Sequence, residues 1–432
     1  MIASVVIVII TFLLLTSSVV FFPSVKVGRI KIGPYWVIAL VGATVLLCAG
    51  LAPATEVWSA FTSDSAVNPL KILTLFFSMT FLSVYLDETG FFRYLAKKAV
   101  DAAGGSARKL FLLVYLLTAL LTVFTSNDVV ILTLTPFLCF FCKNTKLDPV
   151  PFLVGEFAAA NTYSMALVIG NPTNIFLATS AGIGFVDYLK VMILPTIVAG
   201  LIELSVILLV FNKSLKSSPD RQPVTCVVES KIDLVFGGVT LAICLVFLVL
   251  SGYIRTEMWL ISAICAGALL LFALIRRFSK AKDKRLVRSL VRLPWQLIPF
   301  VLSMFVIVVC LQHWGLSDKI GEMLGDKYVV FSYGAASYLV ANVINNIPMS
   351  MLFSALPVGL TSAEYLRAIY ASIVGSNLGA FLTPIGALAG IMFTGLLEKY
   401  DVSFGFRTFV KYGFIVGLPT LAAALTTLFF LL

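Results

Sequence analysis

The chain has 432 residues, 60% of them hydrophobic and only 12% charged, with a mean hydropathy of +1.04. A soluble globule has no core large enough for that many apolar side chains, so the composition excludes one and describes a polytopic membrane protein. The basic balance, 31 Lys and Arg against 21 Asp and Glu, is the excess that cytoplasmic loops of membrane proteins carry, and no nucleic-acid partner is read from it.

In chain order, the opening run 2–22 lacks a basic leader and a small-residue cleavage site and reads as a first span rather than a signal peptide. Further apolar runs able to span fall near 35–52, 70–86, 151–181, 187–211, 233–251, 258–275, 295–312, 365–395 and 409–432. Two more runs, 109–142 and 328–360, are interrupted by polar residues. Ser126, Asn127 and Asp128 break the first; Asn345 and Asn346, followed by Pro348, break the second. The arms of the first run, about 15 to 18 residues each, fall short of the roughly 20 needed to cross a bilayer. Polar side chains at that depth are costly unless they line a cavity, so each run predicts a re-entrant hairpin with a polar tip.

The two halves are related. Gly42, Ala43, Pro69, Ser78, Met79 and Gly90 recur as Gly267, Ala268, Pro294, Ser303, Met304 and Gly315, and Leu194, Pro195 and Thr196 recur as Leu418, Pro419 and Thr420. Matches in the same order along both halves argue for an internal duplication. With both hairpins re-entrant, 25 of the 31 basic residues fall in loops on one side; with each hairpin counted as one crossing, the same loops divide 11 against 14. The positive-inside rule selects re-entry. The expected fold is therefore all-α and polytopic, with two inverted repeats of five spans plus one re-entrant hairpin. These are residues 1–212 (hairpin 109–142, broken helix 151–181) and 233–432 (hairpin 328–360, broken helix 365–395), joined by a polar cytoplasmic linker, 213–232. Both termini are placed outside a plasma or inner membrane.

Each half has a second interrupted run after its hairpin. The first places Asn161, Thr162, Gly170, Asn171, Pro172, Thr173 and Asn174 within one apolar stretch; the second places Ser376, Asn377, Thr383, Pro384 and Gly386. Proline removes a helical hydrogen bond, and unwound backbone at membrane depth survives only where protein or a watery cavity satisfies it. Free helix ends with amide and hydroxyl side chains then offer a site for a small polar solute or ion. Candidate binding residues are Ser126, Asn127, Asp128, Asn171, Thr173, Asn174, Asn345, Asn346, Ser376, Asn377 and Thr383. Asp128 either caps the second hairpin arm or is the carboxylate that couples transport to an ion gradient.

Other residues read as structural. Glu203 is expected to reach toward Lys213, Glu156 and His313 to be interfacial, and Cys139 and Cys142 to be apolar helix residues rather than a redox pair. The basic loop 276–294 reads as a topology determinant. There is no phosphate loop, so the chain does not hydrolyse ATP itself, and no cofactor, metal site or catalytic residue is expected.

The motifs FTSNDVVILTLTPF, LDETGFF, PWQ, NNIP and SNLGAFLTPIGALAG resemble the arsenite permease (ArsB type) and NhaD branch of the ion transporter superfamily over nearly the whole chain. The resemblance implies two inverted repeats with re-entrant hairpins and broken helices. It also implies export of arsenite or antimonite against proton entry, in some members powered by a separate ATPase subunit, and leaves room for a homodimer in the bilayer. Asn127 and Asp128 match the family's first hairpin tip, Asn345, Asn346 and Pro348 the second, and Thr383, Pro384 and Gly386 the second broken helix. GNPTN at 170–174 looks more like the anion permeases of the wider superfamily, whereas the sodium-coupled dicarboxylate branch shows Ser-Asn-Thr at both tips. The expectation is a secondary transporter of arsenite or antimonite exchanged for protons. The alternatives are a sodium- or proton-coupled symporter of an organic or inorganic anion and, in another class, a channel or membrane scaffold.

Overall fold

The computed structural model describes residues 1–21, 25–27, 30–64, 68–217, 230–279, 283–356 and 359–432. Most of the 213–232 linker, and Lys280 and Lys282 of the basic loop, lie outside the described residues. The described chain forms twenty α-helices, and the second ten repeat the order of the first ten. A long apolar pair opens each half: α1 (Ile2–Phe21) and α2 (Tyr35–Cys48), then α11 (Lys231–Ile254) and α12 (Met258–Ser279). A short helix leads into the next long one, α3 (Ala54–Thr62) into α4 (Pro69–Glu88) and α13 (Arg285–Arg292) into α14 (Leu297–His313). Two amphipathic helices follow, α5 (Phe91–Ala103) and α15 (Leu316–Leu324). Their leading glycines, Gly90 and Gly315, have φ of 86° and 62°, a left-handed turn that a side chain would strain.

The interrupted runs come next. The first hairpin is α6 (Ala107–Phe124) and α7 (Asn127–Thr145); the second is α16 (Val329–Ile344) and α17 (Asn346–Ala355). The broken helices are α8 (Pro149–Tyr163) and α9 (Pro172–Ser180), then α18 (Ser362–Gly379) and α19 (Leu388–Lys399), each pair separated by a 3-10 turn, Val168–Gly170 or Pro384–Gly386. Each half closes on a long helix, α10 (Phe185–Val210) and α20 (Phe406–Leu431), with Pro195 and Pro419 inside. Packing between the halves is reciprocal. Helix α4 lies on α12 as α14 lies on α2, α7 on α19 as α17 on α9, and α10 packs against α20.

Among the described residues, eight helices are long and apolar enough to cross a membrane. In the most apolar stretches of α10, α11 and α12 only 33%, 33% and 28% of residues are buried by protein, against 78% in α4. Apolar side chains so exposed need lipid to cover them, whereas α4 is an interior helix. The chain is an all-α polytopic membrane protein, with one exception to the expected helices. A short antiparallel pair, Val25–Val27 with Ile30–Ile32, is the only strand pairing among the described residues.

Two expectations change. The first hairpin's arms have 18 and 19 residues; the second is longer than its apolar run suggested, because polar Lys143–Thr145 continue the helix. Helices α3, α5, α13 and α15 occupy stretches read as loops. Helix α5, for example, buries Phe92, Ala96, Ala99 and Ala103 on one stripe, an amphipathic spacing that a search for continuous apolar runs passes over.

Candidate functional site

The first hairpin tip is built by Ser126, which caps α7 by accepting a hydrogen bond from the Val129 amide, while Asn127 Oδ1 accepts one from the Asp128 amide at 2.9 Å. The capping reading of Asp128 is therefore corrected: its two neighbours satisfy the helix end, and its carboxylate takes no hydrogen bond or ion pair among the described residues. Asn127 Nδ2 donates to Asn161 Oδ1 on α8 at 3.1 Å, tying the tip to the first broken helix. At the second tip Asn345 caps α17 through the Ile347 amide and donates from Nδ2 to the Ile385 carbonyl at 2.8 Å. Asn345 has φ 73° and ψ 154°, a region that is nearly glycine-only and costs on the order of 1–3 kcal/mol.

Pro172 does not kink a helix; it starts one. Asn171 is the N-cap of α9, accepting from the Thr173 amide at 3.2 Å, and Pro172 sits at the first helical position, where its missing N–H is no loss. The preceding turn is tight: a Cβ on Gly170 would meet the Ser164 carbonyl oxygen at 2.3 Å, and one on Gly386 in the second turn would meet the Gly379 carbonyl oxygen at 2.6 Å. The two broken helices are joined through Asn377. Its Oδ1 accepts from Ser164 Oγ at 2.7 Å and Asn171 Nδ2 at 2.9 Å, and its Nδ2 donates to Asn174 Oδ1 at 2.6 Å and to the Ile373 carbonyl at 2.8 Å. All four of its hydrogen-bonding positions are filled, so Asn377 holds the halves together and has nothing left for a ligand. Thr383 is similarly committed, donating to Asn342 Oδ1 at 2.7 Å.

Besides Asp128, three candidates have an uncommitted atom among the described residues. Thr173 Oγ1, Ser376 Oγ and Asn346 Oδ1 are buried and without a partner, and they belong to α9, α18 and α17, which pack against one another. A buried polar atom left unpaired costs about 1–3 kcal/mol, and Thr173 and Asn346 stand at the N-termini of α9 and α17. Asn161, Ser164 and Asn342 were absent from the candidate set. Asn161 stood in the AANTY stretch, and the three-residue spacing of Asn342 from Asn345 would have placed both on one helix face.

Asp128 faces elsewhere. A cavity of about 760 Å³ is lined by Asp128, Thr133 and Pro136 of α7, Thr80, Asp87 and Glu88 of α4, Arg93 of α5, Arg292, Tyr35, and Leu388 and Met392 of α19. Arg292 is therefore not just one of a run of topology-setting charges: its Nη1 lies 2.6 Å from both Asp87 Oδ2 and Glu88 Oε1. Thr133 donates to the same Asp87 oxygen at 2.7 Å, and Arg288 reaches Glu88 from the surface at 3.7 Å. Helix α13, which carries Arg292, is anchored at its start by Arg285. This residue pairs with Asp283 and with buried Asp233, which also binds Arg276 at 3.0 Å and Tyr85 at 2.9 Å. The Arg285 guanidinium holds the Asp283 carboxyl below the usual carboxylate range. On the other side, where Ile347 takes the place of Asp128 in α17, the gap between α17, α9, α4 and α14 is only about 20 Å³, with Ile347, Met351, Pro172, Phe176 and Phe76 in its wall.

Two structural readings are corrected. Glu203 does not reach toward Lys213: it is fully buried and bound by Tyr115 and Thr162. Glu156 is not interfacial either; it is fully buried and bonded only to Thr135 Oγ1, at 2.9 and 3.0 Å. Sequence gives a residue's distance along a helix but not the face that α6, α7 and α8 cover. His313 lies 3.0 Å from Glu56 at the surface, and Cys139 and Cys142 are buried free thiols.

The sequence model of the family described as Citrate transporter matches residues 27–375. An arsenical pump membrane protein of Escherichia coli is 28% identical over 410 residues, 90% of this chain and 92% of the relative. A 46 kDa membrane protein of Mycobacterium leprae is 23% identical over 405 residues, covering 89% and 91%. Among solved structures, the YdaH transporter of Alcanivorax borkumensis superposes with a TM-score of 0.58 at 15% identity, covering 99% of this chain and 97% of the other.

Proposed function

This chain belongs to the citrate transporter family, and from that premise we propose that it is a multi-pass secondary transporter that exports arsenite or antimonite in exchange for protons. In this reading the duplicated element order is a pair of inverted repeats in the plasma membrane, with both termini outside. The observation that carries it is the set of three unpaired buried atoms, Thr173 Oγ1, Ser376 Oγ and Asn346 Oδ1. Arsenous acid is neutral and polyhydroxylated near neutral pH, so its hydroxyls can both donate to and accept from such groups without a counter-charge. Lys and Arg are absent from the hydrogen-bond network around Asn377. The name of the Escherichia coli relative, an arsenical pump membrane protein, supports the substrate class.

A second reading, a sodium- or proton-coupled anion symporter, is favoured by Arg93 and Arg292 in the cavity wall. Against it, the same wall holds three carboxylates, Asp87, Glu88 and Asp128, and two of them are spent on Arg292. A wall of that formal charge admits a cation or a neutral solute more readily than a citrate-like anion.

Everted membrane vesicles containing the protein should accumulate arsenite when a proton gradient is imposed and lose it when the gradient is collapsed. Sodium-dependent uptake of an anion with no arsenite accumulation would establish the second reading. Flux without gradient coupling would make the protein a channel, and no flux of either solute would make it a scaffold. Stimulation by a separate ATPase subunit is a further arm of the same assay.

A further inference from the structure

Glu203 lies within α10 with none of its surface exposed. The titratable groups that face it are Tyr115, from α6, and Tyr163, from α8. Tyr115 Oη stands 2.8 Å from Glu203 Oε1 and 2.9 Å from the Gly200 carbonyl oxygen. Tyr163 packs edge-on to Tyr115, with its hydroxyl against Gly200. Thr162 Oγ1 donates to Oε2. Among the described residues no lysine, arginine or histidine pairs with Glu203. On the other elements around α10, Asp233 of α11 is paired with Arg276 and Arg285 and Lys411 of α20 lies over the Tyr412 ring, while Lys231 of α11 and Arg407 of α20 are exposed at the starts of their helices. A buried carboxylate without a cation is costly, and acids within membrane helices are functional by default.

Counting hydrogens shows what this arrangement can do. Tyr115 has one hydroxyl hydrogen and three acceptors within reach, Glu203 Oε1, the Gly200 carbonyl oxygen and the Tyr163 hydroxyl. With Glu203 ionised, Tyr115 and Thr162 both donate to it. With a proton on Oε1, Glu203 donates to Tyr115 Oη, and the tyrosine hydrogen turns to the Gly200 carbonyl. Both states satisfy Glu203, Tyr115 and Thr162 without moving a heavy atom.

We infer that Glu203 is a proton-binding site of the transport cycle, separate from the Asp128 cavity. One proton taken from water neutralises one carboxylate, and its release restores the charge. Thr162 carries the change into the solute site, because it directly follows Asn161, the partner of the Asn127 tip, and lies two residues before Ser164, which donates to Asn377. A charge-assisted hydrogen bond is about twice as strong as a neutral one, so protonation loosens the Thr162 contact. The inference rests on the proton-coupled reading above, and its first test needs no substrate.

Infrared difference spectra of the purified protein across a pH change should show a protonated-carboxyl C=O band that disappears in Glu203→Gln and shifts in Tyr115→Phe, which keeps the acid but removes its donor. A band intact in Glu203→Gln, or unmoved in Tyr115→Phe, overturns the assignment even if arsenite proves not to be the substrate. In vesicles, the ratio of gradient-driven arsenite accumulation to arsenite counterflow should fall about tenfold or more in Glu203→Gln and recover partly in Glu203→Asp. An unchanged ratio in Glu203→Gln also overturns it. A wild type that moves no arsenite refutes the substrate reading and leaves the infrared band to decide.

Discussion

The two hairpin tips have the same plan and opposite surroundings. Asn127 and Asn346 occupy matching positions at the starts of α7 and α17, yet the next residue is Asp128 in one and Ile347 in the other. Asp128 borders a cavity of about 760 Å³, whereas Ile347 borders a gap of about 20 Å³ closed by Phe76, Phe176 and Met351. The first tip is capped by extended Ser126; the second is capped by Asn345 at φ 73°. Two halves with the same order of helices thus differ at their tips, with an open cavity lined by charged residues at one and a narrow apolar gap at the other. An alternating-access transporter caught in one state would show this asymmetry, since closing one side and opening the other exchanges the roles of α7 with α19 and α17 with α9.

Substitutions that force one tip to resemble the other probe the comparison. Ile347→Asp puts an unpaired charge into the dry gap and should cost about 3–5 kcal/mol of stability, read as a lower melting temperature of the detergent-purified protein; an unchanged melting temperature would mean that the gap is wet. Asn345→Ala removes the bond to Ile385 and keeps the strained backbone, and should cost about 2 kcal/mol in the same assay. Asp128→Asn should leave the melting temperature nearly unchanged, because the carboxylate has no structural partner. Gradient-driven accumulation by this variant should fall about tenfold; full coupled transport would remove Asp128 from the coupling role.

Asp283→Asn tests only the anchor of α13 and should have the smallest effect, about 1 kcal/mol, because Arg285 keeps its second carboxylate partner, Asp233. Because Arg285 depresses the Asp283 carboxyl, the pair contributes fully above the ordinary carboxylate pKa of about 3.9 and is lost as pH falls below it. The melting-temperature difference from wild type should therefore be present at neutral pH and close in acid. A difference that persists in acid would show that the side chain acts through packing rather than charge.

Much of this organisation was legible in the sequence where it follows from local chemistry. Continuous apolar runs gave the long helices, and Gly-Asn-Pro and Thr-Pro-Ile-Gly gave the breaks, because proline and glycine act on their own backbone. The tip residues Asn127 and Asn346 stood out as polar groups in apolar runs. What sequence could not supply was the facing element. Arg292 looked like one charge in a basic run until α4 brought Asp87 and Glu88 to it. Glu203 looked free to reach the surface until α6 and α8 enclosed it. Asn377 and Ser376 are adjacent and looked equivalent, but one is saturated and the other unpaired, a difference set by Ser164 at the end of α8 and by Asn171 and Asn174 of the α9 end.

The claim that the two tips are exposed in turn is tested most directly by single cysteines at Leu132 and Met351, matching positions in α7 and α17, in a variant whose native cysteines are replaced. Modification by a membrane-impermeant thiol reagent, applied from each side in turn, should label residue 132 from the side of the Arg292 cavity while residue 351 stays protected. A saturating transported solute should raise labelling at residue 351 from the opposite side and lower it at residue 132. Both positions reactive from the same side, or neither responding to solute, would contradict the account.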